Sequence, residues 1–192
     1  MVKLLGVVGS PRKGGNTEFL VKEVLKAAEG EGAIVELIHL ADFDLKPCSG
    51  CGACFKTRNC AIEDDVEKIF DMIKVVDGVI IGSPVYFQSV NAQTKTFIDR
   101  VGFLHIARGR KIFRNKVGGA VVVARRSGLA SALPQILMFF MSARMIVANP
   151  AVMSLARETG DAAKDVEAIA NAVELGKTMA QVAKATAFLR ES

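Results

Sequence analysis

V-K-L-L-G-V-V-G-S-P-R-K-G-G-N-T, from Val2 to Thr17, sets the architecture of this chain. Val2–Val8 is an almost unbroken apolar run, the pattern of a strand buried on both faces in a parallel sheet. Beyond Thr17, Phe19, Leu20, Val24, Leu25 and Ala28 recur at helical spacing, predicting a helix over Thr17–Glu29. The loop between them, Ser10–Thr17, therefore lies at the carboxyl end of a strand and at the start of a helix. Unpaired backbone N–H groups and the positive end of the helix dipole suit an anion there. Gly14 and Gly15 let the backbone come close, and Ser10, Arg12, Asn16 and Thr17 offer hydroxyls, an amide and a cation. These groups suit a terminal phosphate monoester; the plain alternative is a helix cap with a flexible turn. The loop has neither the G-K-[ST] ending of a Walker A motif nor G-x-G-x-x-G, which sets ATP and a dinucleotide fold aside.

Outward from this unit, strands are predicted at Ala33–Leu40, Gly78–Gly82, Val117–Ala124 and Met145–Ala148. Helices are predicted at Asp64–Val75, Asn91–Arg100, Leu129–Ala143 and Asp161–Leu189, with a long polar connection over Gly102–Lys116. The alternation gives an α/β class: a flavodoxin-like three-layer sandwich on a five-stranded parallel sheet of order 2-1-3-4-5. Ligands of such folds bind at the carboxyl ends of the strands near the switch point. A single domain over residues 1–192 is expected, with a cysteine loop, residues 42–62, inserted after the second strand.

The composition, 51% hydrophobic and 23% charged, is that of a soluble globular domain. No apolar stretch has the length of a membrane span, and Pro134 and Arg144 interrupt the most apolar one. No secretory signal is evident, so a cytoplasmic location is expected. The net charge of +5 gathers between Lys95 and Arg126, at Arg100, Arg108, Arg110, Lys111, Arg114, Lys116 and Arg125 among others. Such a cluster suits an anionic partner, or is simply solvated. With one Tyr, no Trp and no helix-turn-helix signature, nucleic acid is not an expected partner.

Cys48, Cys51, Cys54 and Cys60 are all the cysteines of the chain and fall within thirteen residues as C-x2-C-x2-C-x5-C. Four thiolates so spaced suit an iron–sulfur cluster, and they also suit zinc; a redox dithiol would use only two of them. The polar setting argues against buried structural thiols, and the segment is too tight for two unstrained disulfides. After the third strand, G-S-P-V-Y-F-Q-S-V (Gly82–Val90) presents an apolar and aromatic patch, either a wall for a flat ring or ordinary core. His39 and His105 read as structural, and Lys95 with Asp99 as a surface ion pair.

S-P-R-K-G-G-N-T, P-C-S-G-C-G-A-C, D-D-V-E-K-I, G-S-P-V-Y-F and F-I-D-R together resemble the iron–sulfur flavoproteins. These are a branch of the NAD(P)H-dependent FMN reductase group with a flavodoxin-like fold, and the likeness is strongest over Val2–Arg100. The resemblance implies FMN and a 4Fe–4S cluster in each subunit of a homodimer or homotetramer. It places the FMN phosphate on Ser10, Arg12, Gly15, Asn16 and Thr17, and the ring against Pro84, Val85, Tyr86 and Phe87. Cys48, Cys51, Cys54 and Cys60 would ligate the cluster, although Cys60 is followed by Ala61 rather than the proline of bacterial ferredoxins. A third contact loop, small and glycine-rich in the wider group, here reads A-R-R-S-G-L and offers Ser127 and Gly128. Arg125 and Arg126 in it either favour a reduced flavin, bind a nucleotide phosphate, or face solvent. The implied activity is electron transfer between FMN and the cluster, coupling one- and two-electron carriers, with ferredoxin or NAD(P)H as partner. Two rival readings are an NAD(P)H-dependent FMN or quinone reductase without an intact cluster, and a redox sensor.

Overall fold

The computed structural model describes residues 1–190; positions 191 and 192 of the expected domain lie outside the described residues. In chain order the strands are β1 (Lys3–Val8), β2 (Ile34–His39), β3 (Gly78–Tyr86), β4 (Ser89–Val90), β5 (Val117–Ala124), β6 (Ile146–Val147) and β7 (Val152–Leu155). The sheet runs β2-β1-β3-β5-β6, all parallel, with β4 paired to β3 and β7 to β5. The order is the expected one, but among the described residues there are seven strands and not five.

Two local causes account for the difference. Ser83 and Pro84 do not turn the chain after Gly82; they stay in the ladder opposite Val122 and Val123. The turn comes later, at Phe87 and Gln88, whose φ values of 50° and 69° fold β4 back antiparallel on Val85 and Tyr86. At the far edge, the expected strand Met145–Ala148 shrinks to two residues opposite Val117 and Gly118. Pro150 has no N–H to give to a ladder, and pairing resumes only in β7, opposite Val121–Ala124.

The helices are α1 (Asn16–Gly30), α2 (Ala53–Thr57), α3 (Val66–Lys74), α4 (Ala92–Ala107), α5 (Leu129–Ser142) and α6 (Val166–Ala185). One face of the sheet buries Leu20, Val24, Leu175 and Met179 of α1 and α6. The other buries Phe70, Phe97, Ile136 and Phe140 of α3, α4 and α5. Because Val101 and Leu104 continue the buried stripe, α4 runs past Arg100 to Ala107, and the expected connection over Gly102–Lys116 is shortened. The final helix is also not continuous. A 3-10 turn at Asp161–Lys164 precedes α6, whose Asp165 side chain caps the Ala168 N–H, and a second 3-10 turn covers Ala187–Leu189. Among the described residues no helix is long and apolar enough to cross a membrane.

Where α1 and α6 cross, Gly176 lets the backbones touch: a Cβ built on it would lie 2.1 Å from the Val24 carbonyl oxygen. Neither helix backbone can yield that space locally. Gly176→Ala is expected to cost about 1–3 kcal/mol through overpacking. It should lower the urea midpoint at an unchanged m-value.

Candidate functional site

A cavity of about 590 Å³ opens at the carboxyl ends of β1, β3 and β5. Ser10, Arg12, Gly15, Asn16 and Thr17 form one wall, and Pro84, Val85, Tyr86 and Phe87 another. Residues far apart in sequence thus meet at the switch point of the sheet. Val123, Arg125 and the segment Ala156–Thr159 complete the lining.

The phosphate-type loop owes its shape to local bonds. The Ser10 hydroxyl accepts the Arg12 N–H at 3.2 Å, and Gly14, at φ 69°, donates its N–H to Glu18 Oε2 at 2.5 Å. Glu18 is buried beneath the loop, with Lys22 Nζ 2.5 Å and His39 Nε2 3.4 Å from its carboxylate. Burial disfavours its charge, but Lys22, the Gly14 N–H and His39 outweigh it and hold its pKa below the usual carboxylate value. The N-cap of α1 is Gly15, with no capping side chain, so the first-turn N–H groups are left for another acceptor.

Asn16 plays a part its sequence position does not reveal. Its Nδ2 donates to the Glu158 carbonyl at 2.8 Å, and its Oδ1 accepts the N–H groups of Gly160 and Ala162 at 2.9 and 3.2 Å. The amide therefore ties α1 to the loop after β7, its oxygen and one of its two Nδ2–H donors being engaged there, while Asn16 still lines the cavity. Underneath, fully buried Asn91 joins three elements. It donates to the Gly9 carbonyl at 2.6 Å and accepts from Thr94 Oγ1 at 2.6 Å, while its own N–H reaches Ser83 Oγ at 3.2 Å.

Ser127 and Gly128 do not line the cavity; Arg125 does. Ser127 Oγ accepts from Gln88 Nε2 at 3.0 Å, and Gly128, at φ 96°, packs against Val85 so closely that a Cβ would lie 2.7 Å from it. Both brace the β3–β4 hairpin from behind. At its tip Phe87 is fully exposed and Tyr86 half-exposed. Arg125 lies 3.5 Å from Glu158 in an exposed pair, and Arg157 adds a cation to the rim that sequence reasoning missed.

The cysteines lie between β2 and α3, on an irregular segment interrupted by the short α2. All four are free thiols; Cys48 and Cys51 are exposed, while Cys54 and Cys60 pack against the core under α3 and α4. Among the described residues no three His, Cys, Asp or Glu side chains are gathered closely enough to hold a metal ion. The spacing thus brings the thiols to one segment without converging them on one point. Gly50 and Gly52 take left-handed φ near 70° on either side of Cys51, and Cys48 and Cys51 stand exposed. Burial, and then the charges of Cys60 and Cys48, push the Cys54 thiol up, so these sulfurs lie within electrostatic reach of one another. The Ala53 N–H and the Ser49 hydroxyl, with Arg100 further off, draw the Cys51 thiol down. Four free thiols on one segment fit an iron–sulfur group in their donor chemistry.

Part of the cationic cluster is engaged in ion pairs and hydrogen bonds within the chain. Lys95 pairs with Asp99 as expected, and Arg108 with Glu67 at 2.7 Å. Lys116 is buried, donates to the Lys74 and Val76 carbonyls, and is pushed down to about 8 by that burial.

Residues 2–160 match the family described as NADPH-dependent FMN reductase. Over 192 residues the chain is 42% identical to an iron–sulfur flavoprotein of Methanocaldococcus jannaschii, spanning 95% of this chain and 98% of that one. An iron–sulfur flavoprotein of Archaeoglobus fulgidus is 35% identical over 205 residues, spanning 100% of both. Among solved structures, an archaeal flavodoxin superimposes with a TM-score of 0.66 at 18% identity, over 95% of this chain and 99% of that one. The last shows the shared flavodoxin-like fold. The extent and identity of the first three matches show that the chain belongs to the NADPH-dependent FMN reductase family and, within it, to the iron–sulfur flavoproteins.

Proposed function

We propose that the chain is one FMN-binding redox domain that passes electrons between the flavin and a 4Fe–4S cluster on Cys48, Cys51, Cys54 and Cys60. The observation that carries the reading is that the phosphate-type loop and the aromatic hairpin wall one and the same cavity. When bound, the flavin exchanges electrons in pairs or singly and the cluster one at a time, so the pair couples the two kinds of carrier. Ser10, Thr17, Arg12 and the uncapped N–H groups of α1 oppose a phosphate dianion with donors and positive charge. Pro84 to Phe87 supply an apolar wall for a flat ring. Asn16 and Asn91 hold these walls at fixed spacing. Arg125 and Arg157 place positive charge at the rim, which favours an anionic ligand state.

Exposed Phe87 at the cavity mouth supports a homodimer or homotetramer in which a second subunit covers it. The electron partner is an acidic carrier such as ferredoxin, or NAD(P)H, and the location cytoplasmic. The deciding measurement is anaerobic purification with FMN, iron, sulfide and zinc quantified. Expected are about one FMN, four irons and four sulfides per chain; stoichiometric zinc without sulfide, or a chain unable to take up FMN, overturns the reading. The outward Cys48 and Cys51 favour one second reading, an NAD(P)H-dependent FMN or quinone reductase with no cluster. Rapid flavin reduction by NAD(P)H, undiminished when all four cysteines are replaced, would select it.

A further inference from the structure

Arg100 and Asp64 form a buried ion pair, their side chains 1% and 0% exposed. An apolar pair of similar volume is often no less stable than a buried ion pair, so stability alone gives no reason for this one. Its bonds do give a reason. Arg100 Nη1 donates to Asp64 Oδ2 at 2.7 Å and to the Lys46 carbonyl; Nη2 donates to Asp64 Oδ1 at 2.9 Å and to Cys60 Sγ at 3.1 Å. Asp64 in turn accepts the Lys46 N–H at 2.9 Å and the Val66 N–H at 3.1 Å. Lys46 and Cys60 are the two feet of the cysteine segment, so one ion pair grips both. A second grip holds only the far foot: Glu67 accepts the Cys60 N–H at 3.1 Å and pairs with Arg108, which donates to the Arg58 carbonyl at 2.8 Å. The Arg100 Nε–H is buried with no partner.

We infer that Arg100 is the positioning residue of the metal centre: it holds Cys60 Sγ in place as a ligand, and its N–H···S bond favours the reduced state of the bound group. The inference rests on the cluster reading above. Hydrogen bonds to ligand sulfur and nearby positive charge stabilise the more negative, reduced form and so raise the potential. Asp64 offsets that charge, so the two residues act in opposite directions on the potential while acting together on the loop.

The test compares the full chain with R100M, R100K and the uncharged double variant D64N/R100M, all purified anaerobically. The readings are FMN, iron and sulfide content and the cluster midpoint potential from an EPR-monitored titration. R100M is expected to keep FMN, to lose iron and sulfide several-fold, and to lower the potential of the remaining cluster. That shift should reach about tenfold in the reduced-to-oxidised ratio, or about 59 mV for one electron. R100K, which keeps a charge and a donor, should recover most of both. Where R100M does not fold, the double variant, which buries no unpaired charge, carries the test through its iron and sulfide content, because the two charges it removes offset each other in the potential. Wild-type iron with an unchanged potential in R100M, or wild-type iron and sulfide in the double variant, overturns the inference and leaves the cluster reading standing. Loss of FMN together with iron in all three variants marks Arg100 as a general fold determinant and also overturns it. A wild-type chain without iron and sulfide overturns both.

Discussion

Cys60→Ala is expected to give a folded protein that retains FMN and has lost its iron and sulfide at least tenfold. The argument is one of separation. Cys60 lies at the far foot of the cysteine segment, its sulfur facing Arg100 and its N–H held by Glu67. None of the cysteines lines the cavity between the phosphate-type loop and the hairpin. Removing the Cys60 sulfur therefore withdraws one ligand and leaves the proposed flavin site intact. Cys60→Ser, with a hydroxyl in place of the thiol, tests whether sulfur itself is needed. An oxygen accepts from Arg100 as well as sulfur does but is a poor ligand for a cluster, so the serine variant should lose iron too. Cys54→Ala should behave alike, because Cys54 also packs against the core beside α4. Unchanged iron and sulfide in Cys60→Ala would remove it from the ligand set and with it the four-thiolate centre. Loss of FMN in step with iron would show that the two sites are one folding unit.

The parts of this site that are legible in the sequence are those written in contiguous residues. Ser10–Thr17 follows a buried strand and opens a helix, so its chemistry and its place in the fold are read together. Pro84–Phe87 is legible for the same reason, although the turn comes at Phe87-Gln88, four residues later than the Ser83-Pro84 pair suggests, because Pro84 is tolerated within the ladder. Arg157 and Glu158 were not legible. They follow β7, a four-residue strand split from β6 by Pro150, and no hydrophobic period spans that break. The loop is found from the other side, through the Asn16 amide that binds its backbone. Ser127 and Gly128 carry the right composition for a ring contact, but left-handed φ at Gly128 turns them onto Val85 and Gln88. Arg100 illustrates the limit most clearly. Its own motif, F-I-D-R, is visible, while its role depends on Asp64, Lys46 and Cys60, brought to it by the packing of α4 beside α3 and α2. Cysteine spacing likewise states which atoms can act as ligands and says nothing about when they converge.

Acidification from pH 6.5 towards 4 is expected to remove about 3 kcal/mol of stability through a single side chain, His105. The imidazole is buried on α4, stacked on Phe113 with ring centroids 4.5 Å apart; neither ring nitrogen makes a hydrogen bond of full geometry, the Ala143 backbone offering only a weaker contact. Burial lowers its pKa from 6.5 to about 4; the Ala143 backbone works the other way, and the charges of Arg110 and Arg144 add to the lowering. The sign follows from proton counting. Between pH 6.5 and 4 the unfolded chain binds a proton at this histidine and the folded chain does not, so unfolding gains as the pH falls. A tenfold change in proton affinity is worth about 1.4 kcal/mol, so lowering the pKa from 6.5 to about 4 amounts to about 3 kcal/mol. Glu18 and Asp64 also lose their contributions in acid, but their folded pKa values lie below 4.5 and 3.8, so most of their effect comes at lower pH. Urea midpoints measured between pH 7 and 4.5 therefore isolate the histidine. His105→Phe keeps the aromatic stack and removes the titrating nitrogen, and it should flatten the slope across this range. An equal slope in the variant would place the acid sensitivity elsewhere and return His105 to a neutral packing role, whereas a flat one identifies a buried base that the fold keeps uncharged beside two arginines.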